Sequence, residues 1–259
     1  MGSSILIEKK GKISIIKLNL PEKLNPLESG MREDLKSALS QFRDDTESNV
    51  AVLTGQGRAF SAGGNLSEMV KGMSAVRAVA HYQSADEITL LIATIPKPII
   101  AAVNGVAAGA GFSLVLACDL VIASTESSFM QAFTKVGLIP DMGSLYFLPR
   151  VVGMHRAKEL IWTARKINAE QAQQMGIVNE IVERENLETR VLELANTIAN
   201  GPAFTIGMVK VLLLRSLESS LQDMLQYEVL GQSLCRQTED HMEGVKSFLE
   251  KRTPVFCGK

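Results

Sequence analysis

The chain has almost no net charge. Its 27 lysines and arginines are met by 28 aspartates and glutamates, leaving a formal −1 over 259 residues. The basic residues are dispersed, so the basic stripe that a nucleic-acid binder needs is missing, and that class is set aside. Cysteine is scarce. Cys118, Cys235 and Cys257 are odd in number and far apart, with no CxxC pair and no clustering with His81, His155 or His241. That excludes a disulfide framework or a zinc motif and points to free thiols in a reducing, cytoplasmic setting. The opening MGSSILIEKK lacks the charged-then-apolar pattern of a signal peptide. Leu6 breaks the myristoylation pattern, and Cys257 stands too near the end for prenylation. There is no internal repeat and no low-complexity segment.

Charge is also missing locally, from Pro98 to Cys118, where Gly105 and Gly109 make a GxxxG. The length is close to a membrane span. Asn104, the glycines, the proline at its start and an immediate restart as DLVIAS argue instead for a buried strand followed by a buried helix. No membrane partner is expected.

What is present is an ordinary core-forming composition, 46% hydrophobic and 21% charged, enough to bury a core with no disulfide or metal staple. ILIEKKGKISIIKLN reads as two strands around a turn at Gly11, and NVAVLTG, PIIAAVNG and DLVIAS as further strands. Between them, Pro26 to Asp45 carries Met31, Leu35, Leu39 and Phe42 at helical spacing, and Ser74 to Thr94 reads as a second amphipathic helix. The repeated strand, turn, helix order argues an α/β fold. After Gly201 the pattern is helical throughout, over Pro202 to Leu217, Leu221 to Arg236 and Asp240 to Lys251. This suggests a core over 1–200 and a helical region over 201–259. Leu221, Leu225 and Val229 share a face that could pack on a neighbouring subunit or on the chain's own core.

Two small-residue turns carry the first hint of chemistry: Arg58-Ala-Phe-Ser-Ala-Gly-Gly-Asn-Leu66, and Asn104-Gly-Val-Ala-Ala-Gly-Ala-Gly-Phe112 at the head of an apolar helix. Glycine and alanine let a ligand approach the backbone, and a helix start offers unpaired N–H groups. Two such donors converging on one point make an oxyanion hole; tight turns chosen for packing would read the same. The GxxxGxG spacing does not match the GxGxxG of a dinucleotide fold.

RAFSAGGNLSEM, IPKPIIAAVNGVAAGAGFSLVLACDLVIAS, FMQAFTKVGLIPDMGSLYFLPRVVG and INAEQAQQMGIVNEIV, in that order, resemble the crotonase (enoyl-CoA hydratase/isomerase) superfamily over nearly the whole chain. The resemblance implies a spiral of ββα turns with a C-terminal helical oligomerisation region, assembled as a homotrimer or a hexamer. It implies an acyl-CoA thioester as substrate, coenzyme A entering only as part of that substrate and no further cofactor. The thioester oxygen would be held by the backbone N–H groups of Gly64 and Ala110, with Ala62, Asn65 and Leu66 along the same wall. Lys23 and Leu24, followed by Asn25, would lie near the CoA nucleotide, and Lys251 would reach a neighbour's CoA phosphate.

Hydratases of the family place two glutamates where this chain has Ser113 and Phe133. Water addition needs one group for the water and another for the α-proton, so their loss argues against efficient hydration. The resemblance also implies that simple 3-enoyl to 2-enoyl isomerases commonly keep the second glutamate, which is again Phe133 here. What survives is Asp141, in Gly137-Leu-Ile-Pro-Asp-Met-Gly143, whose wording is most similar to the ring-epoxide isomerases of phenylacetate breakdown. Outside that frame Asp141 is a turn or cap residue after proline. Ser113 could bond substrate or cap its helix, and His81 could flank the pocket. Asp119 is expected to be structural, Glu68 and Glu126 solvated or capping, and Trp162, the single tryptophan, a packing residue.

Overall fold

A computed structural model describes residues 3–65, 70 and 72–259. Strands β1 (Ile5–Lys10) and β2 (Ile13–Leu18) form the expected hairpin, turning at Gly11 with φ +58°. β2 continues into a parallel run through β3 (Val50–Gly55), β5 (Ile99–Val103), β7 (Leu120–Ser124) and β10 (Glu180–Val182). Both faces of this six-stranded sheet are covered. Ile13, Ile15, Val50, Val52, Ile100, Ala102 and Ile122 point to one side, under Leu187, Val191, Ala195 and Ala199. Their sequence neighbours Ile16, Leu18, Ala51, Leu53, Ile99, Ala101, Val103, Val121 and Ala123 point to the other, into the larger core. The continuous apolar character of these strands follows from burial on both faces.

A second sheet is built from very short strands: β4 (Ala59–Ser61), β6 (Val106–Ala108), β8 (Ser128–Met130) and β9 (Ile167–Asn168), in that order. The sequence reading placed turns over the first two of these segments and missed the sheet. Each of β3, β5 and β7 is thus followed by a short strand and then a helical segment, and the repeat winds the chain into a spiral. This is the expected α/β crotonase architecture. The uncharged stretch from Pro98 resolves into β5, β6 and a buried helix. Among the described residues no single helix is long and apolar enough to cross a membrane.

The helices are α1 (Ser29–Asp44), α2 (Ala75–Thr94), α3 (Ala110–Ala117), α4 (Ser144–Val152), α5 (Met154–Thr163), α6 (Ala169–Gln174), α7 (Leu187–Ala199), α8 (Ala203–Ser216), α9 (Leu221–Cys235) and α10 (Glu239–Glu250). α1 starts at Ser29 rather than at Pro26, because Leu24 and Asn25 are left-handed (φ +63° and +52°) and Leu27 donates its N–H to Gly63. Asn25 is fully buried. It accepts from Leu20 N–H and donates to the carbonyls of Gln56 and Ala59, tying this loop to β4. Trp162 does not pack inward: α5 buries Ala157 and Leu160, and the indole lies 70% exposed with the Lys158 ammonium over it at 5.8 Å. Leu221, Leu225 and Val229 face outward on α9, uncovered by the chain's own core.

Candidate active site

The two small-residue loops meet. Gly63 has φ +87°, and a Cβ there would stand 2.5 Å from the Ala108 oxygen and 3.2 Å from the Ala110 nitrogen. Gly111 is pressed as tightly on β4, where a Cβ would meet the Ser61 oxygen at 2.4 Å. Glycine is required at both places because any side chain would push the loops apart.

Backbone hydrogen bonds then aim the two expected donors. The Gly63 carbonyl accepts from Leu27 N–H at 2.7 Å. In a trans peptide the N–H points opposite to the carbonyl, so Gly64 N–H is turned away from Leu27. The Gly109 carbonyl accepts from Phe112 and Ser113, along the axis of α3, which turns Ala110 N–H outward from the helix start. Among the described residues neither N–H has an acceptor. Gly109 makes this possible with φ +51° and ψ −125°, a backbone conformation open to glycine.

Gly64 and Ala110 line one cavity of about 160 Å³ together with Asn65, Phe133 and Asp141. Its other walls are Leu27, Ser29 and Arg32 from around the start of α1, Met73, His81, Tyr82 and Ala85 on or just before α2, and Leu138 and Met142. Asp141 is the one carboxylate among these lining residues. Its Oδ1 is buried and has no hydrogen-bond partner among the described residues. Burial pushes its pKa up to about 6, Asp86 pushes in the same direction, and Arg32 and the residue's own N–H pull back. A carboxyl at that value is ionised near neutral pH yet takes a proton readily, as an acid/base must.

The turn holding Asp141 is strained. Met142, only 1% exposed, sits in the left-handed region at φ +49°, followed by Gly143 at φ +78°. Ser144 N–H bonds the Asp141 carbonyl at 3.1 Å, and the Ser144 hydroxyl is held by Gln131 at 2.6 Å.

The other expected site residues are spread. Ala62 donates its N–H to the Leu24 carbonyl, so both residues brace the oxyanion loop rather than line the cavity. Lys23 is exposed beside Glu28 (3.6 Å), on a surface groove shared with Pro21 and Glu22. Ser113 is fully buried, its hydroxyl 3.4 Å from the Gly109 carbonyl one turn back, which gives it a place inside α3 and not in the cavity wall. Lys251 caps α10 in a left-handed conformation. Leu66 and Glu68 lie outside the described residues. Glu126 is a surface partner of Arg184, at 3.1 Å.

Sequence reading missed Arg32 altogether and left His81 as a flanking residue. The Arg32 side chain is buried with its Nη atoms 3.1 and 2.9 Å from the two ring nitrogens of His81. Guanidinium only donates, and an imidazole nitrogen accepts only when unprotonated, so at most one of these contacts is a hydrogen bond at a time. The helical period of α1 placed Arg32 next to Met31 without showing that it faces inward.

Residues 8–259 match the family model described as enoyl-CoA hydratase/isomerase. A probable enoyl-CoA hydratase of Rhodobacter capsulatus is 40% identical over 248 residues, 95% of each chain. The 1,2-epoxyphenylacetyl-CoA isomerase of Escherichia coli is 36% identical over 262 residues, covering both chains completely. A solved enoyl-CoA hydratase structure from Geobacillus kaustophilus superposes with a TM-score of 0.94 at 34% identity, over 99% of this chain and 98% of that one. With the paired backbone donors and the spiral fold already in place, the class is an acyl-CoA enzyme scaffold, and the chain belongs to the enoyl-CoA hydratase/isomerase family of the crotonase superfamily. Within that family the names of its relatives divide between hydratase and isomerase, hydratase being the more frequent.

Proposed function

We propose that the protein is an acyl-CoA thioester isomerase with Asp141 as its acid/base. The observation that carries this is a single carboxylate, Asp141, its Oδ1 unpartnered among the described residues, in the same small cavity as the Gly64 and Ala110 N–H groups. A thioester oxygen placed between those donors takes negative charge when the α- or γ-proton leaves, and preorganised N–H groups stabilise that charge without reorganising. Asp141 accepts the proton and returns it to another carbon of the conjugated system, so the double bond moves and no water is consumed. For a ring-epoxide thioester, the substrate named for the Escherichia coli relative, the same carboxylate would assist ring opening.

Phe133, which the resemblance sets where hydratases carry a glutamate, supports isomerisation over hydration: it gives the cavity an apolar wall where a second carboxylate would orient water. Hydration of a 2-enoyl-CoA is the second reading, favoured by the name of the Rhodobacter capsulatus relative. A CoA-binding homologue with no chemistry is a third, against which the tuned Asp141 stands. Coenzyme A enters as part of the substrate, with Lys23, Leu24 and Lys251 of a neighbouring copy as its proposed contacts. The uncovered apolar face of α9 supports a homotrimer or hexamer built through 201–259, and the free thiols of Cys118, Cys235 and Cys257 support a reducing, cytoplasmic setting.

Two assays on the wild type separate the readings. Conversion of trans-3-hexenoyl-CoA to the 2-enoyl isomer is expected, with crotonyl-CoA hydration at least about a hundredfold slower. Hydration as fast as isomerisation would overturn the assignment.

A further inference from the structure

Two consecutive residues at the head of α1 grip the oxyanion loop on either side of Gly64. Leu27 donates its N–H to the Gly63 carbonyl at 2.7 Å. Glu28 Oε2 accepts from the side-chain amide of Asn65 at 3.1 Å. Glu28 occupies the N-cap of α1, where a side chain ordinarily bonds the first free N–H groups of the helix, yet its carboxylate makes no such bond. Its carbonyl opens the helix ladder, accepting from Arg32 N–H at 3.0 Å. The carboxylate is turned to the loop instead, with only 21% of the side chain exposed. Its other neighbour, Lys23 Nζ, is farther off at 3.6 Å and well exposed, so the Asn65 contact is the stronger hold.

We propose that Glu28 is a positioning residue for the oxyanion hole: by holding the Asn65 amide it fixes the direction of the Gly64 N–H. The inference rests on Gly64 and Ala110 being the donors to the thioester oxygen. The Gly64 N–H belongs to the same peptide as the Gly63 carbonyl, which Leu27 holds from one side. With glycine at both 63 and 64, that peptide can swivel unless the chain beyond it is fixed as well. The next residue is Asn65, and its side chain is tied to the same helix start. A charged acceptor makes that tie stronger than a neutral one would. The site needs such a tie, because a donor that must reorient as charge develops loses the advantage of preorganisation. Glu28 does not line the cavity, so it acts through Asn65, which does.

The test reads the thioester carbonyl as well as turnover. Butyryl-CoA labelled with 13C at that carbonyl has no double bond to move, so its bound infrared band reports the oxyanion donors whether or not Asp141 is the acid/base. Binding to the wild type should shift the band to lower frequency. Glu28→Ser gives α1 the side-chain cap it lacks, so the helix start is kept, while the shorter side chain no longer reaches Asn65. That variant should lose at least about half of the wild-type shift and roughly tenfold in kcat, with KM within about threefold. Glu28→Gln keeps an oxygen for the Asn65 amide and should stay within about twofold of the wild type in kcat. Asn65→Ala should match Glu28→Ser, and the double variant should be no worse than either alone, because each removes the same contact. An undiminished band shift in Glu28→Ser would overturn the proposal. So would a Glu28→Gln that falls as far as Glu28→Ser, since the charge at the helix start would then be all that matters. No shift in the wild type would overturn the oxyanion reading itself, and the proposal with it.

Discussion

Asp119 and Asp141 are both carboxylates partly withdrawn from water at the edge of the same core, and they have been treated in opposite ways. Asp119 stands at the entry to β7 with the Lys210 ammonium at 2.7 Å and the Ile99 N–H at 2.7 Å. Lys210, from α8, also donates to the carbonyls of Ile92 and Lys97, so the pair clips the C-terminal helices to the ends of α2 and β5. Burial pushes Asp119 up, and these partners hold it back toward the ionised form. Asp141 has burial and a like charge acting together, one cation at some remove, and an oxygen with no partner among the described residues. A satisfied buried carboxylate is a rivet; an unsatisfied one in a cavity wall is stored chemical potential.

The sharpest way to break this comparison is to neutralise each in turn. Asp141→Asn should lower turnover by about 10²–10⁴. The same change should raise thermal stability. The pKa of Asp141 is above its unfolded value, so the native state keeps a proton that the unfolded chain has lost. Stability therefore falls as pH rises from the ordinary carboxylate range to about 6. The amide escapes that loss, for a gain of about 1–3 kcal/mol at pH 7. Asp119→Asn should do the reverse, leaving turnover intact and lowering stability by about 2–3 kcal/mol. That is less than a fully buried pair would lose, because Asp119 keeps 26% of its side chain exposed. Adding Lys210→Met should restore part of it, since no buried charge is then left alone. Thermal denaturation and a turnover assay on the variants read all of this.

Next in size is the oxyanion loop. Gly63→Ala would place a Cβ 2.5 Å from the Ala108 oxygen, separating the two donors, and should lower kcat by about 10²–10³ while Asp141 titrates as before. The pH profile comes after it: kcat/KM should rise through about 6 from the acid side, as Asp141 becomes able to accept a proton. Smallest is Lys23→Ala. Its ion pair with Glu28 is exposed and worth under about 1 kcal/mol, so Tm should not move, while KM for the thioester rises about two- to fivefold.

Sequence reached different parts of this picture for different reasons. The long strands and amphipathic helices were legible because their apolar periods extend over enough residues to be distinct. The second sheet was not, since strands of two or three residues show no alternation. Asp141 was legible by resemblance and by the subtraction of Ser113 and Phe133; its turn after proline would otherwise have read as a cap. Arg32 and His81 come to the site from two helices, α1 and α2, whose mutual approach depends on packing. Trp162 was misjudged because residue type suggested burial, whereas the period of α5 sets its inner face at Ala157 and Leu160.

The most direct test of Asp141 as the acid/base is deuterium uptake at the α-carbon of an acyl-CoA thioester in D2O, followed by mass spectrometry for wild type and Asp141→Asn. The account predicts steady uptake by the wild type and none above background in the variant, with thioester affinity changed by less than about threefold. Uptake by Asp141→Asn at the wild-type rate would contradict it.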